Sequence, residues 1–513
     1  MKTHECLLIN PRSAYHYIQT PIPYPPASLL TIASFLERSG VSSFVLDMVA
    51  EEDPVGLLSR HLDAAPGQVL LVGFTVMTSQ VRHAAELSRH VKTRYPGTRV
   101  IWGGIHPTLF PEQVLREGVA DFVCVGEGEY TTQELLAALR GNADPRSVKG
   151  LYFLSGGELV FTGRRAPNDL DSLPFLNYHL IDYSKYRVRS VGRGREAMRV
   201  NSGVIISSVG CPYRCTFCVN ANKRLAFGGY RTKSAGRLAD ELAYLTREFG
   251  LDYFDFLDEN FFVRRDHPEN FANEIKKRGL KFNWYTSMRA DAFDRKLVDE
   301  PLLERLKDVG LYYLSIGAES GSQRILDKLK KEITVAQIRQ SAELIVKHGL
   351  GVTFSFMMGL PGEEQSDTDA TLLLIQKLRA LDNKVSIIGP QIFRPYPGGE
   401  LYEECVQKYG YQQPQTVAGW SESVVPLTGF EDVEKLVWIP DKEYIRKVSF
   451  YMDFVNINID AFNFGPLKKL AFKVLKATSN FRIRHQLWGF NLDMRLIMAY
   501  KKMTHTVRDP ANG

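Results

Sequence analysis

Long hydrophobic runs are missing from this chain of 513 residues. None approaches the roughly 20 apolar residues that cross a bilayer, so no membrane span is expected. The opening MKTHECLLIN lacks the charged n-region, apolar h-region and cleavage site of a secretory signal. Cysteine is scarce: Cys6, Cys124 and Cys405 are scattered, while Cys211, Cys215 and Cys218 share one tight run. That is no disulfide framework; a reducing cytoplasm fits it and is the expected localisation. Strong charge of one sign is lacking too. A net charge of +6 is mild for this length and gives no reason to expect nucleic acid as a partner. The remainder, 44% hydrophobic, 24% charged and 11% aromatic, is a soluble globular make-up. A chain this long exceeds one ordinary core and is expected to divide into domains.

The run GCPYRCTFCVN spaces Cys211, Cys215 and Cys218 as C-x3-C-x2-C. Three thiolates at this spacing suit a cubane of four irons, which normally takes four cysteines. A three-ligand set leaves one iron open for a substrate or cofactor. A zinc knuckle would need four closed ligands, commonly two C-x2-C pairs, and no fourth Cys or His lies close by. With Phe217 just before the last cysteine, the motif resembles the radical S-adenosylmethionine (radical SAM) superfamily. That resemblance implies a [4Fe-4S] cluster whose open iron is chelated by S-adenosylmethionine. It also implies cleavage to a 5'-deoxyadenosyl radical, and a reductant protein such as flavodoxin or ferredoxin as partner.

Residues 1–148 alternate short apolar runs with helical patterns, the signature of parallel βαβ units. Strands are expected at 6–9, 43–46, 69–74, 100–102 and 122–125, with helices such as 28–39, 80–95 and 111–117 between them. In open α/β sheets ligands sit at the carboxyl ends of the strands. Polar, glycine-rich turns fall there: Thr75–Ser79, the stretch from Gly103 and Gly104 through His106 to Thr108, and Gly126-Glu127-Gly128-Glu129. PPASLLTIASFLERSG, WGGIHPTLFPE and DFVCVGEGE, in that order, resemble the cobalamin-binding domain of cobalamin-dependent radical SAM proteins. The D-x-H-x-x-G motif, whose histidine ligates cobalt in mutases and methionine synthases, is absent; Val123 stands where that histidine would be. The resemblance therefore implies cobalamin without a histidine of that kind. Thr75, Met77 and Thr78 are expected under the corrin, and Gly103, Gly104, Gly126 and Glu127 around it. His106 is read as a turn or corrin-edge residue rather than a cobalt ligand.

Residues 149–200 read as a hairpin, LYFLSGGELVFTGRR, followed by a linker ending in the arginine-rich VRSVGRGREAMRV. Its arginines suit a solvated linker; contact with cobalamin's phosphate or an anionic substrate is the other reading. From 201 to 395 strand and helix patterns alternate about six times. Expected strands are 204–208, 253–257, 282–286, 312–316, 352–358 and 385–392, and Asp266 is expected to cap the helix beginning near Pro268. This suits the family's partial (β/α)6 TIM-type barrel, with motifs at successive strand ends. Asp258 and Glu259 resemble a D-D/E-x-F variant facing the amine of S-adenosylmethionine. Arg289 is placed for its carboxylate, Glu319 and Ser320 for ribose and amine, and Gly359 in MMGLPGE for adenine; RPYPGGELY closes the barrel. Residues 396–513 read as helical. Their basic, apolar-interleaved end reads as a lid on the barrel, with peripheral contact to an anionic membrane as the alternative.

The expected architecture is thus α/β: a flavodoxin-like, Rossmann-like cobalamin domain, a partial barrel and a helical C-terminal region. The resemblance implies a class B-like radical SAM methyltransferase acting on an unactivated carbon. A cyclase or rearrangement enzyme with the same cofactors is the rival. A non-catalytic cobalamin or cluster sensor is the rival from another class, for which the further strand-end motifs would be superfluous. A small-molecule or lipid-like substrate is expected; no catalytic side chain beyond the cofactor ligands is assigned.

Overall fold

The apolar runs of the first segment fold into a parallel sheet because both faces of each strand are covered by helices, as near-continuous hydrophobic strands require. The computed structural model describes residues 4–13, 24–64, 66–191, 198–222, 229–423, 432–457, 465–489 and 491–495. Strands β1 (Cys6–Asn10), β2 (Ser43–Asp47), β3 (Leu71–Thr75), β4 (Arg99–Gly103) and β5 (Phe122–Cys124) run parallel in the order β2-β1-β3-β4-β5. Helices α1 (Ala27–Arg38), α2 (Pro54–Asp63), α3 (Val81–Arg94), α4 (Ile105–Leu109), α5 (Pro111–Arg116) and α6 (Glu129–Arg140) connect and flank them. The chain leaves β1 on one side for β2 and on the other for β3. The sheet's topological switch point, where such folds bind ligands, therefore lies at the carboxyl ends of β1 and β3.

Two details differ from the sequence reading. The hairpin β6 (Leu151–Ser155) and β7 (Glu158–Phe161) adds two antiparallel strands to this same sheet, Phe153 packing on Phe122 across the β5–β6 pair. The turn after β4 is not all loop. Gly104, at φ +99°, reverses the chain, and α4 starts at the next residue.

The second sheet begins with β8 (Val188–Val191) and β9 (Met198–Ile205), antiparallel to each other. The arginine-rich stretch read as a linker thus supplies strand residues; Arg193 and Arg195 lie outside the described residues. A two-residue ladder, β10 (Ser208–Val209) with β11 (Arg231–Thr232), brackets the cysteine run. Then β12 (Tyr253–Phe256), β13 (Asn283–Met288), β14 (Leu311–Glu319), β15 (Gly351–Met358) and β16 (Val385–Ile392) extend β9 in parallel, giving the order β16-β15-β14-β13-β12-β9-β8. This is the open half-barrel expected. Its outer helices are α7 (Ala235–Phe249), α8 (Asp266–Arg278), α9 (Glu300–Asp308), α10 (Gln323–Lys328), α11 (Val335–Lys347) and α12 (Gln365–Arg379). Helix α7 shows why they form: Ser234 accepts the Arg237 N–H, Leu238, Leu242 and Leu245 repeat on the buried face, and Gly250 ends the helix. Asp266 does not cap α8 as expected. It lies inside the first turn and pairs with Arg264.

The last segment is helical, as its patterns predict: α13 (Glu400–Tyr409), α14 (Val417–Ser423), α15 (Lys442–Asn456) and α16 (Pro466–Arg484). Helix α15 packs on β16 and α16 on α15. Helix α14 instead lies against α3 of the first sheet, and its Trp420 Nε1 donates to Gln113 of α5 at 3.0 Å. No described helix is long and apolar enough to cross a membrane.

Candidate active site

The strand end that launches the cysteine run is fixed by Asp258. Its Oδ1 accepts the backbone N–H groups of Ser207 and Ser208, each at 2.8 Å, and its Oδ2 the Ser207 hydroxyl. His267 Nε2 lies 3.2 Å from that hydroxyl. Burial pushes the Asp258 carboxyl up to about 6. Its oxygens are spent inside the protein, so it braces the loop from beneath. Glu259, the next residue, is exposed, accepts the Gly210 N–H and stands close enough to Cys211 to raise its thiol.

The donor set fits a cluster. Cys211, Cys215 and Cys218 are free thiols on one loop. The Cys218 N–H donates to the Cys215 carbonyl at 3.0 Å, and Thr216 is tied through its N–H to Leu329 and through its carbonyl to Leu401. Among the described residues no three Cys, His, Asp or Glu side chains gather around one metal ion; a cubane spreads its thiolates over separate irons. Burial raises the Cys211 and Cys218 thiols, and positive charge nearby favours the thiolate form that ligates metal. Two buried cations are in place to supply it. The Arg289 guanidinium lies 3.7 Å from the Tyr213 ring centroid, and Lys331 Nζ lies 5.6 Å from that of Phe217. Both interact electrostatically with Cys215.

Arg289 is committed: it grips Asp291 through Nε at 3.1 Å and Nη2 at 3.3 Å, and donates to the Lys331 carbonyl. It fastens the loop after β13 to the one carrying Lys331. Glu319 ends β14 at φ +62° and pairs with Lys331 at 2.8 Å. Burial lowers the Lys331 ammonium, but Glu319 and Cys215 outweigh it and hold the group above its ordinary value. Ser320 turns inward: it is fully buried, sits 3.1 Å from the Thr371 hydroxyl and accepts the Ser322 N–H. At Gly359 the close approach comes from the chain itself. Trp438 Nε1 donates to its carbonyl at 2.8 Å, and Ile439 lies 2.8 Å from where a Cβ would stand. Lys331, Asp291 and Trp438 carry no motif in the sequence, and only the fold brings them here.

At the switch point of the first sheet Gln80 joins the loops after β1 and β3. Its Nε2 donates to Asn10 Oδ1 and the Pro11 carbonyl, and its Oε1 accepts the Met77 N–H at 2.9 Å. That leaves Met77, an apolar side chain 53% exposed, at the mouth of the crevice, with Thr75 half-buried and Thr78 buried beside it. The residues fit a large flat ligand. Gly126 adopts φ +88° with nothing within 4 Å of a Cβ position, and a Cβ on Gly103 would make only ordinary contacts, the nearest at 3.7 Å. His106 is buried and pushed down to about 3 by desolvation. Its Nδ1 lies 3.3 Å from the Thr78 hydroxyl, while Nε2 has no partner and the ring packs against Phe110 and Trp420.

Glu127 faces the other sheet. Its carboxylate receives Arg231, beside the cysteine run, and the Asn168 N–H at 2.6 Å, which makes it a tether between the sheets. Neighbouring Glu129 accepts the Asn168 amide at 2.8 Å and is pushed by burial up to about 7, as is Glu363. Between the ordinary carboxyl value and about 7 the native state therefore holds protons that the unfolded chain has released. The stability these two carboxyls contribute is expected to be lost as pH rises from about 4.5 to 7, against the opposite contribution of the buried His106 and His267, which desolvation pushes down to about 3 and about 4. Denaturant midpoints of the parent protein and Glu129→Gln across that range check this: the parent should lose stability relative to Glu129→Gln as pH rises.

The two carboxyl-terminal rims meet at the turn after β16. A Cβ on Gly398 would stand 3.0 Å from Val219, next to Cys218, and 3.3 Å from Leu109 of α4. Asn222 Nδ2 donates to the Gly398 carbonyl at 2.8 Å. One on Gly399 would stand 2.7 Å from the Thr216 carbonyl. A single turn thus touches the cysteine loop and the glycine-started helix of the first sheet.

A family profile of the Radical SAM superfamily matches residues 205–375, and one of the B12 binding domain matches residues 20–136. An uncharacterised methyltransferase of Pyrococcus horikoshii is 29% identical over 389 residues, covering 74% of this chain and 78% of the relative. The anaerobic magnesium-protoporphyrin IX monomethyl ester cyclase of Cereibacter sphaeroides is 27% identical over 394 residues, covering 74% and 60%. Among solved structures, the cobalamin-dependent S-adenosylmethionine radical enzyme OxsB, with aqua-cobalamin and S-adenosylmethionine bound, shares the fold. Its TM-score is 0.67 at 16% identity, over 98% of this chain and 76% of that one. With a B12-binding domain and a radical SAM domain in succession on one chain, the protein belongs to the cobalamin-dependent radical SAM enzymes, whose cofactors are a [4Fe-4S] cluster, S-adenosylmethionine and cobalamin.

Proposed function

We propose that this enzyme methylates an unactivated carbon of a small biosynthetic intermediate. When bound, the cluster and S-adenosylmethionine supply hydrogen abstraction, and cobalamin supplies the methyl group. In this reading Cys211, Cys215 and Cys218 hold the cluster, and Lys331 and Arg289 offset its charge. Phe217, Glu259 and Glu319 border the S-adenosylmethionine site, while Asp258 and Ser320 hold the strand ends that present them. Thr75, Met77, Thr78, Gly103, Gly104 and Gly126 form the cobalamin crevice. His106, neutral and enclosed, shapes its edge without reaching cobalt. A reductant protein, flavodoxin or ferredoxin, delivers the electron. Ile439 and Trp438 cover Gly359 and help to keep water from the barrel mouth.

The observation that carries this reading is the close approach of the Gly398 turn to both Val219 and Leu109, each within 3.3 Å of where a Cβ on Gly398 would stand. Methyl transfer needs the two cofactor sites to share one substrate, and a turn that approaches both the cysteine loop and α4 supports that arrangement. The test is an oxygen-free assay of reconstituted protein with hydroxocobalamin, S-adenosylmethionine and a low-potential reductant. Methyl transfer requires 5'-deoxyadenosine and S-adenosylhomocysteine together. The resemblance to the magnesium-protoporphyrin cyclase favours a second reading, ring formation, in which deoxyadenosine appears alone. Neither product would overturn both.

A further inference from the structure

Helix α16 carries two apolar faces, and packing among the described residues uses only one. Ser479 and Ile483 are buried, and Phe472 and Leu475 pack on the core. On the opposite side Leu467, Leu470, Val474 and Phe481 are 85%, 60%, 54% and 57% exposed. By the 3.6-residue repeat these four fall on one stripe. The helix also contains Lys468, Lys469, Lys473, Lys476, Arg482 and Arg484 and no Asp or Glu. By the same repeat Lys469, Lys473 and Arg484 border the stripe on one side and Lys468 lies towards the other, while Arg482 is turned inward to Asp493 at 3.2 Å. An acid-free basic helix with exposed leucine, valine and phenylalanine in line is built to lie in a bilayer interface.

We propose that α16 docks this enzyme on an anionic membrane surface, its Leu467–Leu470–Val474–Phe481 stripe entering the acyl boundary while the flanking cations meet lipid phosphates. The argument is independent of the methylation reading and goes beyond it. Helix α16 rests on α15, and α15 on β16, the last strand of the half-barrel. Docking through α16 would bring that open edge of the barrel towards the bilayer.

Flotation of the full-length protein with vesicles tests this, using phosphatidylcholine alone and phosphatidylcholine mixed with phosphatidylglycerol. The protein should float with the anionic vesicles only and be partly released by salt. Leu470→Glu combined with Val474→Glu should cut the bound fraction roughly tenfold or more. Its melting curve should stay unchanged, because both side chains are exposed. Three results overturn the proposal: no flotation of the parent protein, equal flotation of the double variant, or a dimer in solution that the double variant turns into monomer. The last would make a second copy of the chain the occupant.

Discussion

Replacing Cys215 by alanine will leave a folded protein that makes no 5'-deoxyadenosine above background. The fold survives because the loop is held by its backbone: Thr216 is tied to Leu329 and Leu401, and the Cys218 N–H bonds the Cys215 carbonyl, not its sulfur. The chemistry does not survive, because three thiolates are the minimum for a cubane that keeps one iron open. Cys215 has a second task. It is buried, and Lys331 and Arg289 both lie within its electrostatic reach. Without its thiolate those cations face each other across the loop with less negative charge between them. Iron and sulfide content after oxygen-free reconstitution should collapse together with deoxyadenosine. Cys405→Ala is the control: that cysteine is buried in α13 and is not one of the three in the run, and its loss should cost about 1 kcal/mol of stability with the cluster intact. A Cys215→Ala protein with full cluster content and activity would refute the cluster assignment.

The cysteine run and the strand positions along the chain were legible because both are local. A thiolate triad is written in consecutive residues, and a buried parallel strand is a short apolar run between helical patterns. What escaped the sequence depends on partners far along the chain. Glu127 is expected around cobalamin, and nothing in the sequence shows that its carboxylate is held by Arg231, 104 positions away, across the domain boundary. Asp258 and Ser320 sit in the expected motifs, yet their side chains turn inward to Ser207 and Thr371. Motif spacing places the backbone and leaves the rotamer to the packing. The hairpin 151–161 was seen as a hairpin, but its partner β5 was not, since edge-strand pairing leaves no mark within the hairpin itself. Lys331 lay hidden in the run LKKEIT: nothing local separates it from its neighbour Lys330, which pairs with Glu400 at the surface.

Gly399→Ala is expected to uncouple the two cofactor sites without emptying either. The glycine's backbone, at φ −96° and ψ 155°, suits alanine equally well, so no conformational strain confuses the result. The added methyl would instead stand 2.7 Å from the Thr216 carbonyl oxygen and 3.2 Å from the Phe217 carbonyl carbon. Both are backbone atoms between Cys215 and Cys218, and the Thr216 carbonyl is also held by Leu401 at 2.9 Å. Nothing flexible can swing away, so the loop or the turn must move. The turn is itself wedged against Leu109 through Gly398, so the displacement alters how the cluster loop sits against the cobalamin rim. Mispositioning of this kind costs up to about 10²-fold in rate where two reacting groups must meet. Cobalamin and iron content should remain, while the ratio of S-adenosylhomocysteine to 5'-deoxyadenosine falls. Gly97→Ala, in a surface turn where an added Cβ meets nothing within 4 Å, should leave that ratio alone. An unchanged ratio in Gly399→Ala would mean that the turn after β16 joins the two rims without setting the distance between their cofactors.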